Sequence, residues 1–137
     1  MEDEKMFDLE IISPDRQFYE GKVSFVEMTT TEGDIGVFKN HIPLTCILAP
    51  GLVKMYEEGS DEPKKAIIHA GFVTILQDSV TIMAEVAEWP DEIDANRAEE
   101  ARIRAQRRIE DGGDGVDIDR AELALKRSLA RLEALKK

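Results

Sequence analysis

"VTIMAEVAEWPDEIDANRA", residues 80–98, contains the change of period on which the reading of the whole chain turns. Val80, Ile82, Ala84 and Val86 occupy every second position, so one face of a β-strand carries them all. Trp89-Pro90 then punctuates the chain, since proline has no amide proton for a ladder. Asp94 stands where a helix N-cap belongs, and an acidic residue suits the positive end of a helix. From Ala98 the small residues recur at Ala101, Ala105 and Ile109, the spacing of a helix face. The sequence therefore predicts a β domain over 1–87 and a helical domain over 88–137.

Upstream, the chain reads as short strands between turns. Phe7, Leu9 and Ile11 alternate with Asp8 and Glu10 until "SPDR", residues 13–16, stops the pattern. The phase slips at Phe25-Val26, which predicts a bulge. "TEGDIG" reads as a turn, "TCILA" as a strand and Pro50-Gly51 as another turn. "LVKMYE" and "KKAIIHA" flank the polar "EGSDEP", and "GFVTIL" precedes "QDS" and the quoted strand. Strands this short and this evenly spaced suit an antiparallel β-sandwich or flattened barrel. Met28, Met55 and Met83 read as core or interface filler, and Cys46 as a small buried residue.

Downstream, residues 94–111 and 119–136 are helical in character and equal in length, each roughly 27 Å long. The glycine-rich "GGDGVDI" between them stops the first helix, and Asp119 with Glu122 reads as a capping box for the second. Equal helices joined by a short linker predict an antiparallel two-helix hairpin. Its second helix offers Ala121, Leu125, Leu129, Leu132 and Leu135 as an apolar stripe; the first offers mostly alanine. Such a stripe buries little area at about 25 cal/mol per Å², so the hairpin is expected to be marginal by itself and able to move.

Charge separates the two parts again. The 137 residues carry a net charge of −11. Residues 1–90 hold 17 acidic and 7 basic side chains, against 12 and 11 in residues 91–137. An acidic surface excludes nucleic acid as a general partner and non-specific adsorption to anionic lipid. The acidic "MEDEKMF" is unlike a signal sequence, and no window approaches the roughly 20 apolar residues of a membrane-spanning helix. One cysteine cannot form an internal disulfide, which suits a reducing compartment.

Eight of the nine arginines lie after Pro90. In an antiparallel hairpin turning near residue 115, Arg97 falls opposite residues 131–133, and Arg127 and Arg131 share one face of the second helix. Three guanidinium groups then converge near Asp94. Forked donors of this kind match phosphate oxygens, while Asp94 or Glu88 could accept from an amino group such as that of adenine. The alternative is a set of exposed salt bridges with Asp91, Asp94 and Glu133, each worth little. The chain has two histidines, His41 and His69, and one cysteine, Cys46; its carboxylates are abundant without forming a dyad, and with no glycine-rich phosphate loop and no paired metal-ligand spacing no catalytic residue is assigned.

Three stretches carry a family likeness: "EGDIGVFKNHIPL" (32–44), "AGFVTI" (70–75) before "VTIMAEVAE" (80–88), and "DIDRAELALKRSLARL" (117–132). Over essentially its whole length the chain resembles the epsilon subunit of bacterial F-type ATP synthases. The resemblance implies a ten-stranded sandwich that binds the gamma subunit and the c-subunit ring, with Asp34 and His41 at the c-ring contact. It implies a rotor subunit, coupling proton-driven rotation to ATP synthesis from the cytoplasmic side of the cell membrane without insertion. It also implies a hairpin that extends into the alpha/beta catalytic hexamer and inhibits ATP hydrolysis. In some members Ile/Leu-Asp-x-x-Arg-Ala with two later arginines binds ATP as a regulatory ligand and holds the folded state. Here Ile93, Asp94, Arg97, Ala98, Arg127 and Arg131 match that motif, and Glu88 a further acidic position. Two departures stand out: Lys39-Asn40 replaces Pro-Gly before the histidine, and His69-Ala70-Gly71-Phe72 replaces Ser-Gly-Gly-Phe. A free-standing ATP-sensing regulator or adaptor is the rival reading; co-assembly with a gamma subunit discriminates the two.

Overall fold

A computed structural model describes residues 5–113 and 115–136. Asp114 of the glycine-rich linker, Lys137 and the first four residues lie outside the described residues. Seven strands come first: β1 (Phe7–Ser13), β2 (Arg16–Thr30), β3 (Gly33–Phe38), β4 (Leu44–Leu48), β5 (Gly51–Glu57), β6 (Lys64–Ile75) and β7 (Ser79–Glu88). A single 3-10 turn, Pro90–Glu92, leads into α1 (Ala95–Asp111) and α2 (Ile118–Ala134). Among the described residues no helix is long and apolar enough to cross a membrane.

The strands close into a flattened barrel. β1 pairs with β2 antiparallel and with β7 parallel; β7 pairs with β6, β6 with β5, and β5 with β2. The far end of β6 also carries β4, and the far end of β2 carries β3. β2 and β6 thus each serve two parts of the wall, which is why the described residues contain seven strands rather than ten. The alternating residues behave as their period requires: Leu9, Ile11, Val26, Met55, Val73 and Ile82 are fully buried in one core. The "TEGDIG" stretch is only half turn, because its second half begins β3, where Ile35 and Val37 alternate inward with Gly36 between them. Cys46 is half-buried and Met83 exposed, contrary to the core role expected of the first.

Bulges supply the remaining corrections. The phase slip in β2 lies between Val23 and Phe25 against β5. In the β6–β7 ladder Ile68 pairs with Ala87, Ala70 with Val86 and Gly71 with Ala84. His69 is therefore an extra residue on β6, and Glu85 an extra residue on β7. The second bulge reverses the phase of β7, so Val86 faces outward and Ala87 inward, unlike the single face expected. It also turns Glu88 to the same side as the buried His69.

Two turn conformations explain particular residues. Asn40 adopts φ 68°, a left-handed conformation that asparagine tolerates, so its replacement of glycine leaves the turn intact. Gly71 has φ 145°, and a Cβ there would lie 2.1 Å from the Met83 carbonyl oxygen. Gly71→Ala is expected to cost more than about 2 kcal/mol in urea unfolding, whereas Gly59→Ala, strained but in open space, costs about 1 kcal/mol.

Candidate functional site

The hairpin begins as the sequence indicates. The Asp94 carboxylate accepts a hydrogen bond from the Arg97 amide at 3.1 Å, so Asp94 is the N-cap of α1. The second cap is Asp117 rather than Asp119: its carboxylate accepts from the Arg120 amide at 3.1 Å, and α2 starts one residue earlier than expected. Gly112 at φ 47° closes α1 in the left-handed conformation of a helix stop.

The helices pack through small residues. Ala98 and Ala105 are the buried residues of α1; Ala121, Ser128, Ala130 and Ala134 are those of α2. Of the expected stripe, Ala121 is buried, Leu125, Leu132 and Leu135 are half-buried, and only Leu129 is exposed. α2 rests on β5 and β6, where Ala130 and Ala134 meet Ile67, flanked by Leu52 and Ile93. Trp89 fixes the connection to the barrel: it stacks on Phe18 at 4.2 Å, and the Lys64 ammonium lies 5.0 Å above its ring. Glu92 accepts from both Arg16 (2.7 Å) and the Trp89 amide (2.9 Å).

At this junction Glu88, Ile93, Asp94, Arg97, Ala98 and Arg131, with Glu92, line one cavity of about 220 Å³. The structure thus brings together six of the seven residues expected to bind nucleotide. Arg127 is the exception. It lines a separate cavity near the hairpin turn with Arg108 and Arg120, and its buried Nε has no hydrogen-bond partner. Four residues separate two positions by about 6 Å along a helix, so sharing a face with Arg131 does not bring Arg127 to the same end.

Arg131 does not pair with Asp94 or Glu133. Its Nε donates to Glu88 Oε1 at 2.8 Å, and the same oxygen accepts from His69 Nε2 at 2.6 Å. Burial alone would raise the pKa of Glu88, but hydrogen bonds from Arg131 and His69 outweigh it and hold the carboxyl below its ordinary value. That depression contributes stability above the ordinary carboxylate pKa, and the contribution is lost as pH falls through the lowered value. His69 is the residue of this junction that the sequence did not reveal. The available signal was a lone histidine inside the apolar strand "KKAIIHAGFVTI", at a position where the resemblance has serine.

The two residues expected at a c-ring contact lie apart in kind. His41 sits in the β3–β4 loop with Nδ1 2.7 Å from the Ile42 carbonyl oxygen, the bond of an ordinary turn histidine. Asp34, on β3, lines a groove of about 400 Å³ between the barrel and α2, shared with Lys126, Leu129 and Glu133.

Residues 6–90 match the family described as ATP synthase, Delta/Epsilon chain, beta-sandwich domain; residues 91–136 match ATP synthase, Delta/Epsilon chain, long alpha-helix domain. The chain belongs to this family. It is 42% identical over 135 residues to the ATP synthase epsilon chain of Caldanaerobacter subterraneus subsp. tengcongensis, covering 98% of this chain and 96% of that one. It is 40% identical to the epsilon chain of Clostridium novyi over 129 residues, or 94% and 97% of the two chains. The fold also matches a chain in the Euglena gracilis mitochondrial ATP synthase, with a TM-score of 0.84 at 24% identity over 96% of this chain and 82% of that chain.

The Glu88–Arg131 pair predicts how the hairpin responds to substitution. Arg131→Ala leaves Glu88 half-buried with His69 alone, and it is expected to weaken α2 docking by roughly 1–2 kcal/mol. Hydrogen exchange of α2 amides would then accelerate while that of the barrel strands stays unchanged.

Proposed function

We propose that this chain is a rotor subunit of the central stalk of an F-type ATP synthase, whose barrel binds the gamma subunit and c ring and whose hairpin regulates ATP hydrolysis. It has no catalytic centre of its own and works as a peripheral component at the cytoplasmic face of the membrane, chemistry being the task of other subunits. ATP is a ligand of the folded hairpin in this reading. The observation that carries it is the cavity uniting Glu88, Ile93, Asp94, Arg97, Ala98 and Arg131 across the junction of barrel and helices. Arg97, and Arg131 once it leaves Glu88, supply guanidinium donors that match phosphate oxygens. The volume is below the roughly 300–1,000 Å³ of ordinary ligand clefts. A nucleotide therefore fits only if Arg131 leaves Glu88 and turns outward to the phosphates, with the Glu88 carboxylate freed to accept from the base. Arg127 joins by swinging its unpartnered side chain from one turn away.

A ligand of this kind acts by mass action. Binding only the folded state stabilises it by about 2.7 kcal/mol at a hundredfold excess over Kd. That is a large bias on a hairpin held by alanine contacts, though a full reversal from 1:99 to 99:1 needs about 5.5 kcal/mol. Calorimetric titration with ATP is expected to give saturable binding that weakens about tenfold or more in Arg131→Ala or Arg97→Ala. No heat with folded protein at millimolar ATP would overturn the ligand reading and leave the subunit reading standing.

The barrel carries its own support. Ile47, Phe72 and Met83 are neighbours across β4, β6 and β7, and all three are exposed. An outward apolar row of this kind suits a permanent protein contact. Phe72→Glu is expected to abolish co-purification with a gamma subunit without unfolding the barrel. Unimpaired co-purification would remove this face from the contact, and failure of the wild-type chain to co-assemble would favour a free-standing regulator.

A further inference from the structure

His69 is only 2% exposed, yet it is a titratable group set between the barrel and the hairpin. The bulge on β6 places it beside Glu88, the last residue of β7, and Arg131 of α2 completes the chain of contacts. Glu88 is a pure acceptor when ionised, so His69 Nε2 carries the proton of their hydrogen bond. His69 Nδ1 is buried and has no partner. The charged groups acting on the ring are Glu88 from β7 and Arg131 and Arg127 from α2. On the β5 side, Leu52 and Gly51 pair with its neighbours Ile67 and Ile68 and carry no charge.

We propose that His69 is a positioning residue of the junction: its neutral ring holds Glu88 for Arg131, and its protonation releases α2, making the docked hairpin a proton-sensitive latch. A second ring proton, on Nδ1, would be buried without an acceptor, and the added positive charge would face two guanidinium groups. The attraction to Glu88 opposes release. Burial, aided by Arg131 and Arg127, outweighs it, and the ring is held below the ordinary histidine pKa while α2 is docked. Undocking removes both arginines and admits water, so the ring regains an ordinary pKa near 6.5. The sign follows: the state with the lower pKa binds fewer protons, so docking is favoured at high pH and weakens as pH falls past about 6.5. For a ring that stays neutral while docked, the ratio of docked to undocked molecules falls by up to about tenfold between pH 7.5 and 5.5.

The latch operates without nucleotide. If ATP binds the docked junction as proposed above, its affinity falls with pH by the same linkage. That extension rests on the earlier reading, but the test of the latch does not.

The test is a pH titration of the ¹⁵N-labelled full chain by NMR from pH 8 to 5.5, with no nucleotide present. At pH 6.5 the His69 nitrogens are expected to report a neutral ring protonated at Nε2. The Ile67–Ala130 cross-peaks and the α2 amide shifts should move to the undocked state in step with His69 protonation. His69→Gln can still donate to Glu88 but cannot titrate, and it should keep α2 docked with a flat pH profile. Half-protonation of His69 at an ordinary pH with α2 unmoved would overturn the proposal, as would an unchanged profile in His69→Gln. If that variant does not fold, the wild-type titration alone decides.

Discussion

The Glu88 carboxylate is the point at which the barrel and the hairpin constrain each other. It ends the last strand, lies half-buried, and has one oxygen bonded both to His69 from β6 and to Arg131 from α2. A carboxylate in that position needs partners from both sides, because a buried charge left unpaired is costly. The opposed bulges in β6 and β7 exist in the right place to satisfy it, and the Trp89–Phe18 stack holds the chain beyond it against the barrel. The same carboxylate faces the small cavity between Arg97 and Arg131. Structural closure and the proposed ligand recognition therefore draw on one group.

Around that polar tie the packing is sparse. Hairpin and barrel meet through Ala130, Ala134 and Ile67 with Leu52 and Ile93 at the edge, and the buried residues of both helices are alanines and Ser128. Small side chains bury little apolar surface, so the apolar part of the docking energy is modest. By contrast the barrel has a continuous core from Phe7 to Ala87. This contrast suits the proposed regulatory role, because a hairpin packed this sparsely can leave without disturbing the domain on which it rests. It also explains why a few polar contacts decide its position.

Much of this was legible in the sequence because it rests on local period. Val80 and Ile82 alternate into a strand, Asp94 caps the helix that Ala95 begins, and the Gly112 stop divides two helices of equal length. What escaped depends on long-range pairing. The continuity of β2 and β6 comes from partners on different parts of the wall, and nothing in "GDIGVF" distinguishes a turn from an edge strand. The exposure of Val86 follows from a bulge residue, Glu85, that no alternation announces. Six of the residues expected at the site share one cavity because the motif spans one helix start and one facing turn. Arg127 fell elsewhere because face and height along a helix are separate coordinates. His69 escaped because its role needs Glu88, nineteen residues away, to be turned toward it.

The shared hydrogen bond couples Glu88 to Arg131, and this coupling is expected to set hairpin docking. The most direct measurement is a double-mutant cycle on the docking equilibrium. Glu88→Gln, Arg131→Met and the double variant would be compared with the wild type by spin-label distances between the barrel and α2 at neutral pH. A coupling of at least about 0.5–1 kcal/mol is expected, within the roughly 0.5–3 kcal/mol found for residues in one hydrogen-bonded network. Strictly additive effects of the two substitutions, with the wild-type distance distribution already broad, would contradict it.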